Sequence, residues 1–260
     1  MKALMFGWEF PPHISGGLGT ASYGLTKGLA KSGVEILFVM PKTSGDEDSS
    51  IGRIINASDV SFKTDMFLEN YWTNVNFLTV SSSLIPYLGF EDYAQLRKDS
   101  LQKQGAVSHL GEKYTFSGKY GANLMEEVAR YAMVAATIAG EYDFDIIHAH
   151  DWLTYLAGIV AKKVSGKPLV IHVHATEFDR SGESVNKTVY DLEKLGMDEA
   201  DAVMAVSNLT RNIVITKYNI PESKVFTVHN AVDFSERTAV GTNRGIDEKI
   251  VTFLGRITFQ

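Results

Sequence analysis

Two pairs of histidines are the residues whose type and spacing point most directly to chemistry. His148 and His150 are separated by one residue, as are His172 and His174, and positions i and i+2 of a strand project to the same face. Such imidazoles can hydrogen-bond the hydroxyl groups of a ligand at neutral pH, or they can be core side chains. A metal site is less favoured because the chain lacks a His-Glu-x-x-His spacing. We predict no metal and no cofactor.

A glycine-rich turn near the start of the chain is the second candidate site. The segment Ser15-Gly16-Gly17-Leu18-Gly19 follows an apolar run at residues 2–7 and opens an amphipathic helix through about Lys31. The backbone N–H groups and the positive helix end at such a turn can bind a phosphate. The alternative is that the glycines only permit a tight turn. Their spacing is neither the dinucleotide-binding fingerprint nor a P-loop.

The elements around these residues predict where they meet. Short apolar runs alternate with amphipathic segments, which is typical of an α/β protein with a Rossmann-like, doubly wound parallel sheet. The main predicted strands are 2–7, 34–40, 145–150, 168–174, 202–206 and 224–229, and the predicted helices are 17–31, 122–141, 154–164, 184–196 and 208–217. Such sheets bind ligands beyond the carboxyl ends of their strands. The glycine turn and both histidine pairs lie at those ends.

Residues 41–118 are harder to assign. Two further strands are predicted at 53–55 and 75–80, and 81–121 is interpreted as an insertion or a mobile loop. Its aromatic rings could stack on a ligand or, as we favour, pack the insertion onto the body of the protein. These rings are Tyr87, Phe90, Tyr93, Tyr114 and Phe116.

Three further polar or aromatic features could belong to a functional site. Asp143 and Asp145 have the spacing of a divalent cation site, but they lie at the start of a strand, at the edge away from the expected crevice, so we interpret Asp143 as a helix-end or turn residue. Arg180 is either an exposed loop charge or a residue that orients a substrate, and both interpretations stay open. Trp152 follows the first histidine pair and can offer an apolar ring face to a ligand.

Composition excludes several classes of protein. The 260 residues include 25 basic and 31 acidic side chains, a net charge of −6, which argues against a nucleic-acid or anionic-membrane partner. The chain has no cysteine, which excludes disulfides, thiolate metal sites and a cysteine nucleophile. We find no signal-peptide pattern and no apolar run near the roughly 18 residues needed to span a bilayer. We therefore expect a cytoplasmic location.

The end of the chain predicts a domain boundary. We assign residues 1–233 to one N-terminal domain, 234–249 to a polar linker and 250–260 to the first strand and loop of a second domain. A single strand after a linker cannot complete a βαβ unit. We therefore expect the natural protein to continue into a second domain of the same chain.

Several segments, taken in order, make this sequence similar to the retaining nucleotide-sugar glycosyltransferases of the GT-B fold. They are Glu9–Pro12, Gly16–Gly19, Ile146–Trp152, His174–Glu177, Ala200–Asp201, Val206–Ser207, Asn230–Asp233 and Phe253–Arg256. Within that group the chain resembles the glycogen synthases and group 1 transferases. The resemblance extends over nearly the whole chain, and the segment from His148 to Trp152 is its most specific part.

The resemblance implies the N-terminal half of an enzyme that transfers glucose from ADP-glucose or UDP-glucose to an α-1,4-glucan. Gly16, Gly17 and Arg256 would bind the donor phosphates. His150 would be catalytic, lying against the transferred sugar at its oxocarbenium-like transition state. The acceptor and sugar side would be lined by Glu9, Asp151, Trp152, His174, Glu177, Arg180 and Asn208. Because the second domain would carry the remaining donor contacts, we expect this chain alone to be inactive.

Two departures from the family pattern leave alternatives open. Bacterial starch-synthase-type glycogen synthases have a Lys-x-Gly-Gly-Leu segment and then an Asp, where this chain has Ile14 and Thr20. One cationic contact to the donor is therefore missing. This favours the group 1 transferases, with another sugar as acceptor, and leaves ADP-glucose and UDP-glucose both possible. A stand-alone carbohydrate-binding module is the other alternative, whereas a Rossmann oxidoreductase would need a Gly-x-Gly-x-x-Gly segment.

Overall fold

The fold is taken from a computed structural model that describes residues 1–14, 16–61, 113–119, 124–231 and 251. The strands in these residues are β1 Lys2–Phe6, β2 Glu35–Met40, β3 Arg53–Asn56, β4 Ile146–His150, β5 Leu169–Val173, β6 Ala202–Ala205 and β7 Val225–Thr227. The helices in these residues are α1 Gly17–Lys31, α2 Leu124–Glu141, α3 Trp152–Ser165, α4 Glu177–Ser181, α5 Lys187–Glu199 and α6 Asn208–Lys217.

All of these strands are parallel and form one sheet in the order β3-β2-β1-β4-β5-β6-β7. The predicted Rossmann-like, doubly wound architecture is therefore confirmed. The strand order reverses between β1 and β4, which is the topological switch point at which such sheets bind ligands. Met5 of β1 pairs with His148 of β4, and His150 of β4 pairs with His172 of β5.

The two faces of the sheet bury different sets of side chains. Leu4 and Phe6 of β1 pack into the larger core with residues of α2, α3, α5 and α6. Ala3 and Met5 point to the opposite face, where partly buried residues of α1 cover them. A parallel strand covered on both faces reads as a continuous apolar run, which is why the sequence of β1 shows no alternation.

Helix α1 has the predicted bounds, but its most buried side is not the leucine side. Gly19, Ser22 and Thr26 are its buried residues, whereas Leu25 and Leu29 are only partly buried. The small side chains let α1 lie close to the sheet. The helix is amphipathic, as predicted, and its most buried side is formed by these small residues.

Local signals account for most of the helix ends. Gly33 follows α1 with φ +81°, and Gly166 ends α3 in the left-handed region that favours glycine. Ser207 caps α6 by accepting a hydrogen bond from the Thr210 N–H. Each of these three residues lies within two positions of a predicted helix end.

The loop between β5 and β6 differs most from the prediction. A short helix, α4, follows β5, where a loop was expected; its capping box joins Thr176 and Asp179. The predicted helix at 184–196 instead occupies Lys187–Glu199, because the side chain of Asn186 caps its first turn.

Several predictions lie outside the described residues: the strand at 75–80, the linker at 234–249, Arg256, Tyr87, Phe90 and Tyr93. The domain boundaries at 233 and 249 therefore stay predictions. Phe116 is described and is fully buried, with its ring 6.1 Å from the ring of Tyr131. This ring packs on the body, as we favoured. None of the described helices has both the length and the apolar character needed to cross a membrane.

Candidate functional site

The candidate site lies at the carboxyl edge of the sheet, around the switch point between β1 and β4. The chain leaves β1 toward α1 on one face of the sheet, and it leaves β4 toward α3 on the other. The two connections therefore separate at the point where sheets of this kind bind their ligands. The glycine turn forms the β1 side of this edge, and the histidines of β4 and β5 form the next part of it.

Four imidazole rings make a flat layer on β4 and β5. The rings of His148 and His150 stack with centroids 4.4 Å apart, and those of His172 and His174 stack 4.5 Å apart. Hydrogen bonds join the two stacks: Nε2 of His148 lies 3.2 Å from Nδ1 of His172, and Nδ1 of His150 lies 3.0 Å from Nε2 of His174. The sheet register produces this layer, because it sets His150 beside His172.

The layer is uncharged at neutral pH. Burial lowers the pKa of His148 to about 3 and that of His172 to about 4. It also lowers the pKa of His174 to about 3 and that of His150 well below its ordinary value, and Coulomb repulsion from neighbouring imidazoles acts in the same direction. A neutral imidazole has one N–H and one lone pair. Each ring can therefore hydrogen-bond its partner and still present one nitrogen elsewhere.

Two nitrogens of the layer have unused hydrogen-bonding capacity. Nε2 of His150 and Nε2 of His172 are buried and have no hydrogen-bond partner among the described residues. His148, His150 and His172 could each offer one nitrogen within 4.8 Å of the others, as metal ligands would. However, the ring planes are nearly parallel and two inter-ring hydrogen bonds already direct lone pairs or protons at neighbouring rings. We keep the absence of a metal as a prediction.

Asp151 and Trp152 follow the layer directly. Asp151 has φ +63°, a left-handed conformation that is unusual for a residue other than glycine. Its carboxyl group is buried and one oxygen, Oδ1, has no partner among the described residues. Burial raises the pKa of Asp151 to about 6, although attraction to Arg180 and backbone hydrogen bonds lower it. Trp152 begins α3 and is 9% exposed, so only a small part of its ring is accessible.

The glycine turn contains one glycine that packing requires and one that it does not. A Cβ on Gly19 would lie 2.3 Å from Cγ2 of Ile14 and 3.2 Å from Cγ of Glu9, whereas a Cβ on Gly17 would meet nothing within 4 Å. Packing thus explains Gly19 but not Gly17. Gly16 is the N-cap of α1 in extended backbone, and the first turn of α1 contains no acidic residue. The helix end is therefore suited to an anion.

Two of the predicted acceptor-side residues are held by ion pairs. Arg180 lies on α4, where its Nε donates to Glu177 Oε2 at 3.0 Å and its Nη2 contacts Glu193 Oε1. The other Glu177 oxygen accepts from the Asn186 N–H at 3.0 Å. Of the two open interpretations, an exposed loop charge is wrong for Arg180, because two carboxylates hold its guanidinium. Whether it contacts a substrate stays a prediction.

Asn208 and Asp145 occupy different edges of the sheet. Asn208 is exposed at the start of α6, and its Oδ1 accepts from the Thr227 hydroxyl at 2.8 Å. Asp145 precedes β4 at the opposite edge, where its carboxylate accepts from the Lys2 N–H at 2.7 Å. Asp145 therefore lies at the edge away from the expected crevice, as predicted.

Sequence reasoning missed Glu193 and Tyr218. Glu193 is 1% exposed, and Tyr218 is fully buried and donates a hydrogen bond from its hydroxyl to Glu193. The available signal was helical spacing: Glu193 shares the buried face of α5 with Val189, Leu192 and Met197. A carboxylate on an apolar helix face predicts a buried partner, but the partner itself cannot be found from spacing.

Comparison with known proteins agrees with this geometry. Residues 2–228 match the family described as starch synthase catalytic domain. An uncharacterized glycosyltransferase of Methanocaldococcus jannaschii, MJ1607, is 26% identical over 274 residues, which cover all of this chain and 56% of that protein. A glycogen synthase of Mycobacterium tuberculosis is 22% identical over 278 residues, covering all of this chain and 55% of that protein. The chain thus spans about half the length of these curated relatives.

Among solved structures, the sucrose-phosphate synthase of Thermosynechococcus elongatus superposes with a TM-score of 0.53 at 12% identity. The match covers 88% of this chain and 47% of that one. At this identity the likeness concerns the fold alone, which is the N-terminal Rossmann-like half.

Proposed function

The chain belongs to the starch synthase catalytic domain family, and from that premise we propose that it is the acceptor-side half of a retaining glycosyltransferase. The donor would be a nucleotide-diphosphate glucose, either ADP-glucose or UDP-glucose, and the acceptor the 4-hydroxyl of an α-1,4-glucan. Glucose would move with retention of its anomeric configuration. The second half of the donor site, with the role assigned to Arg256, would belong to the domain that follows.

The observation that carries the proposal is the state of His150. Its ring is fully buried and neutral at the switch point, and its Nε2 has no partner among the described residues. A protonated imidazole would repel a sugar that develops positive charge, whereas a neutral one can hydrogen-bond its hydroxyl groups. His174, Asp151 and Trp152 lie at the same strand ends, where we propose that they face the sugars.

The glycine turn supports the donor part of the proposal. Gly17 has open space where a Cβ would stand, so a phosphate can approach the backbone N–H groups of α1. The diphosphate leaving group would be stabilised by this helix end and by Arg or Lys charges of the second domain rather than by a divalent cation. Glu9 is buried beneath the turn, and we assign it to the sugar side of the crevice.

One observation favours a second candidate, a group 1 transferase with another sugar as acceptor. Ile14 stands where the starch-synthase-type enzymes have a Lys, and it is 40% exposed, so an apolar side chain faces outward at this position.

An acceptor panel separates the two candidates. The full-length protein is supplied with ADP-glucose or UDP-glucose and with glycogen, malto-oligosaccharides, or small sugar and sugar-phosphate acceptors.

Elongation of the glucan supports the first candidate, and transfer only to a small acceptor supports the second. Glucan binding without any transfer from either donor contradicts both and leaves the carbohydrate-binding module. The donor site is tested separately with Gly17→Asp, whose carboxylate would repel the diphosphate and raise the KM for the donor. Gly24→Asp is its control, because Gly24 lies on the same helix, is exposed and also has open space around it.

A further inference from the structure

Glu193 is a buried carboxylate that joins three helices. It lies on the inner face of α5 and is 1% exposed. Its Oε2 accepts from the Glu177 N–H of α4 at 3.0 Å and from the hydroxyl of Tyr218, at the end of α6. A buried carboxyl group disfavours folding unless donors compensate for lost water. These donors do so from two neighbouring elements, and Arg180 adds a third contact at Oε1.

Arg180 extends this contact to the end of β5. Its Nη1 donates to the carbonyl oxygen of Ala175 at 3.3 Å, and Ala175 is the residue directly after His174. On its other side, the N–H of Ala175 faces the carboxyl group of Asp151. The peptide groups of Ala175 are therefore held from both directions, by a cation and by a carboxylate.

The position of the Ala175 backbone affects the position of the His174 ring, because the two residues are neighbours in the chain. Nε2 of His174 is 3.0 Å from Nδ1 of His150, so one of these two nitrogens carries the shared proton. If His150 holds the proton on Nδ1, its free Nε2 is an acceptor; if His174 holds it, Nε2 of His150 is a donor. The contact with His174 therefore couples the tautomer of His150 to that of His174.

We propose that Glu193 is a positioning residue for the pair His150 and His174. It acts through Arg180 and Ala175, which hold the strand end that carries His174. The catalytic role of the pair rests on the proposed function. The contacts that run from Glu193 through Arg180 and Ala175 to His174 are a property of the folded chain, and they are testable without any sugar.

Titration distinguishes Glu193 from the groups around it. The ionisable groups that face it are Asp151, Glu177, Arg180 and Tyr218. Burial raises the pKa of Glu193 to about 7 and that of Asp151 to about 6, whereas the pKa values of the imidazoles lie well below these. A change of the imidazole signals near pH 6 to 7 therefore reports the buried carboxyl groups and not the rings themselves, and a Glu193 variant identifies the part that belongs to Glu193.

The experiment is ¹⁵N NMR of the imidazole nitrogens in the complete chain between pH 5 and 8.5. We expect the signals of His150 and His174 to inflect near pH 7 in the unmodified protein. Glu193→Gln keeps the shape of the side chain but not its charge, so it should remove this inflection and shift the ratio of the His150 tautomers. Glu199→Gln, a half-buried carboxylate on the same helix that lies 3.8 Å from Lys163, should leave both unchanged.

Two results would overturn the proposal: His174 signals and a His150 tautomer ratio that are unchanged in Glu193→Gln, or the same changes in Glu199→Gln. If Glu193→Gln does not fold, Arg180→Lys replaces it, because lysine keeps the charge but cannot contact Glu193 and Ala175 together. Unchanged His174 signals in Arg180→Lys would then overturn it. Absence of sugar transfer would contradict the proposed function and leave these spectra unaffected.

Discussion

His150 hydrogen-bonds to His174 and not to His172, its partner in the sheet register. The two nitrogens, Nδ1 of His150 and Nε2 of His174, are 3.0 Å apart, and the rings are inclined by 30°. His172 instead bonds to His148. Each hydrogen bond is thus diagonal across β4 and β5, since the side chains lean along the strands. The diagonal pairing leaves Nε2 of His150 directed away from its partner, buried and without a hydrogen-bond partner among the described residues.

Removal of the His150 ring should abolish sugar transfer without abolishing the fold. In the full-length protein we expect His150→Ala to lower kcat on the order of 100-fold or more, the usual effect of removing one electrostatic contact to a transition state. His148→Ala is the matched control, because it removes another buried ring of the same layer. Both variants should lose about 1–3 kcal/mol of unfolding free energy, measured by urea denaturation. Equal losses of activity in both would contradict a specific role of His150.

The histidine layer should make stability fall as the pH falls below 6.5. The folded-state pKa values of the four imidazoles lie far below the unfolded value, so the unfolded chain takes up four protons that the folded chain does not. Asp151 and Glu193 act in the opposite direction, because their raised pKa values let the folded chain hold two protons near pH 5. Four protons less two leaves a net uptake of two protons on unfolding. The free energy of unfolding should therefore change by about 2.7 kcal/mol per pH unit between about pH 4.5 and 6.

Urea denaturation at several pH values measures this slope. His148→Leu should lower it by about 1.4 kcal/mol per pH unit, the share of one proton. His13→Gln, which removes an exposed imidazole paired with Asp46, is the control. A stability that rises as the pH falls from 6 to 5 would contradict the buried, neutral layer.

Tyr131 should stabilise the carboxyl ends of β1 and β2. Its fully buried hydroxyl donates to the carbonyl of Val39 at 2.8 Å and lies 3.1 Å from that of Gly7, which joins the ends of β1 and β2. Tyr131→Phe should therefore cost about 1–2 kcal/mol of unfolding free energy. Tyr142→Phe, whose hydroxyl makes one long, exposed contact of 3.4 Å with Arg53, should cost less than about 0.5 kcal/mol. Equal costs would show that the buried hydrogen bonds contribute nothing.

Gly196 should be required for the packing of α5 against α3. A Cβ at this position would lie 2.4 Å from Cδ2 of Tyr155, a fully buried ring that cannot move aside. We expect Gly196→Ala to cost about 1–3 kcal/mol of stability, as overpacking does. Gly24 is an exposed position of α1 with open space around it. Gly24→Ala should therefore stabilise the folded protein by about 0.5–1 kcal/mol. Thermal unfolding of both variants checks the opposite signs.

Local patterns predicted the fold well because they act over a few residues. The apolar runs predicted β1 and β4 to β6 close to their observed bounds, and the predicted bounds of α1 and α6 match the structure. Short elements were less predictable: α4 has five residues and depends on one capping box, so its apolar period is too short to recognise.

By itself the sequence determined the alternation of strands and helices, the parallel sheet, and the placement of His150 and Gly17 at the ends of strands. Periodicity and capping are local properties, so no tertiary contact was needed to infer them. Only the tertiary structure decided which histidines bond to each other, and that Arg180 is held by Glu177 and Glu193. These contacts join residues that are distant along the chain, and strand register and helix packing select them, because a buried polar group must find its partner wherever the fold places one.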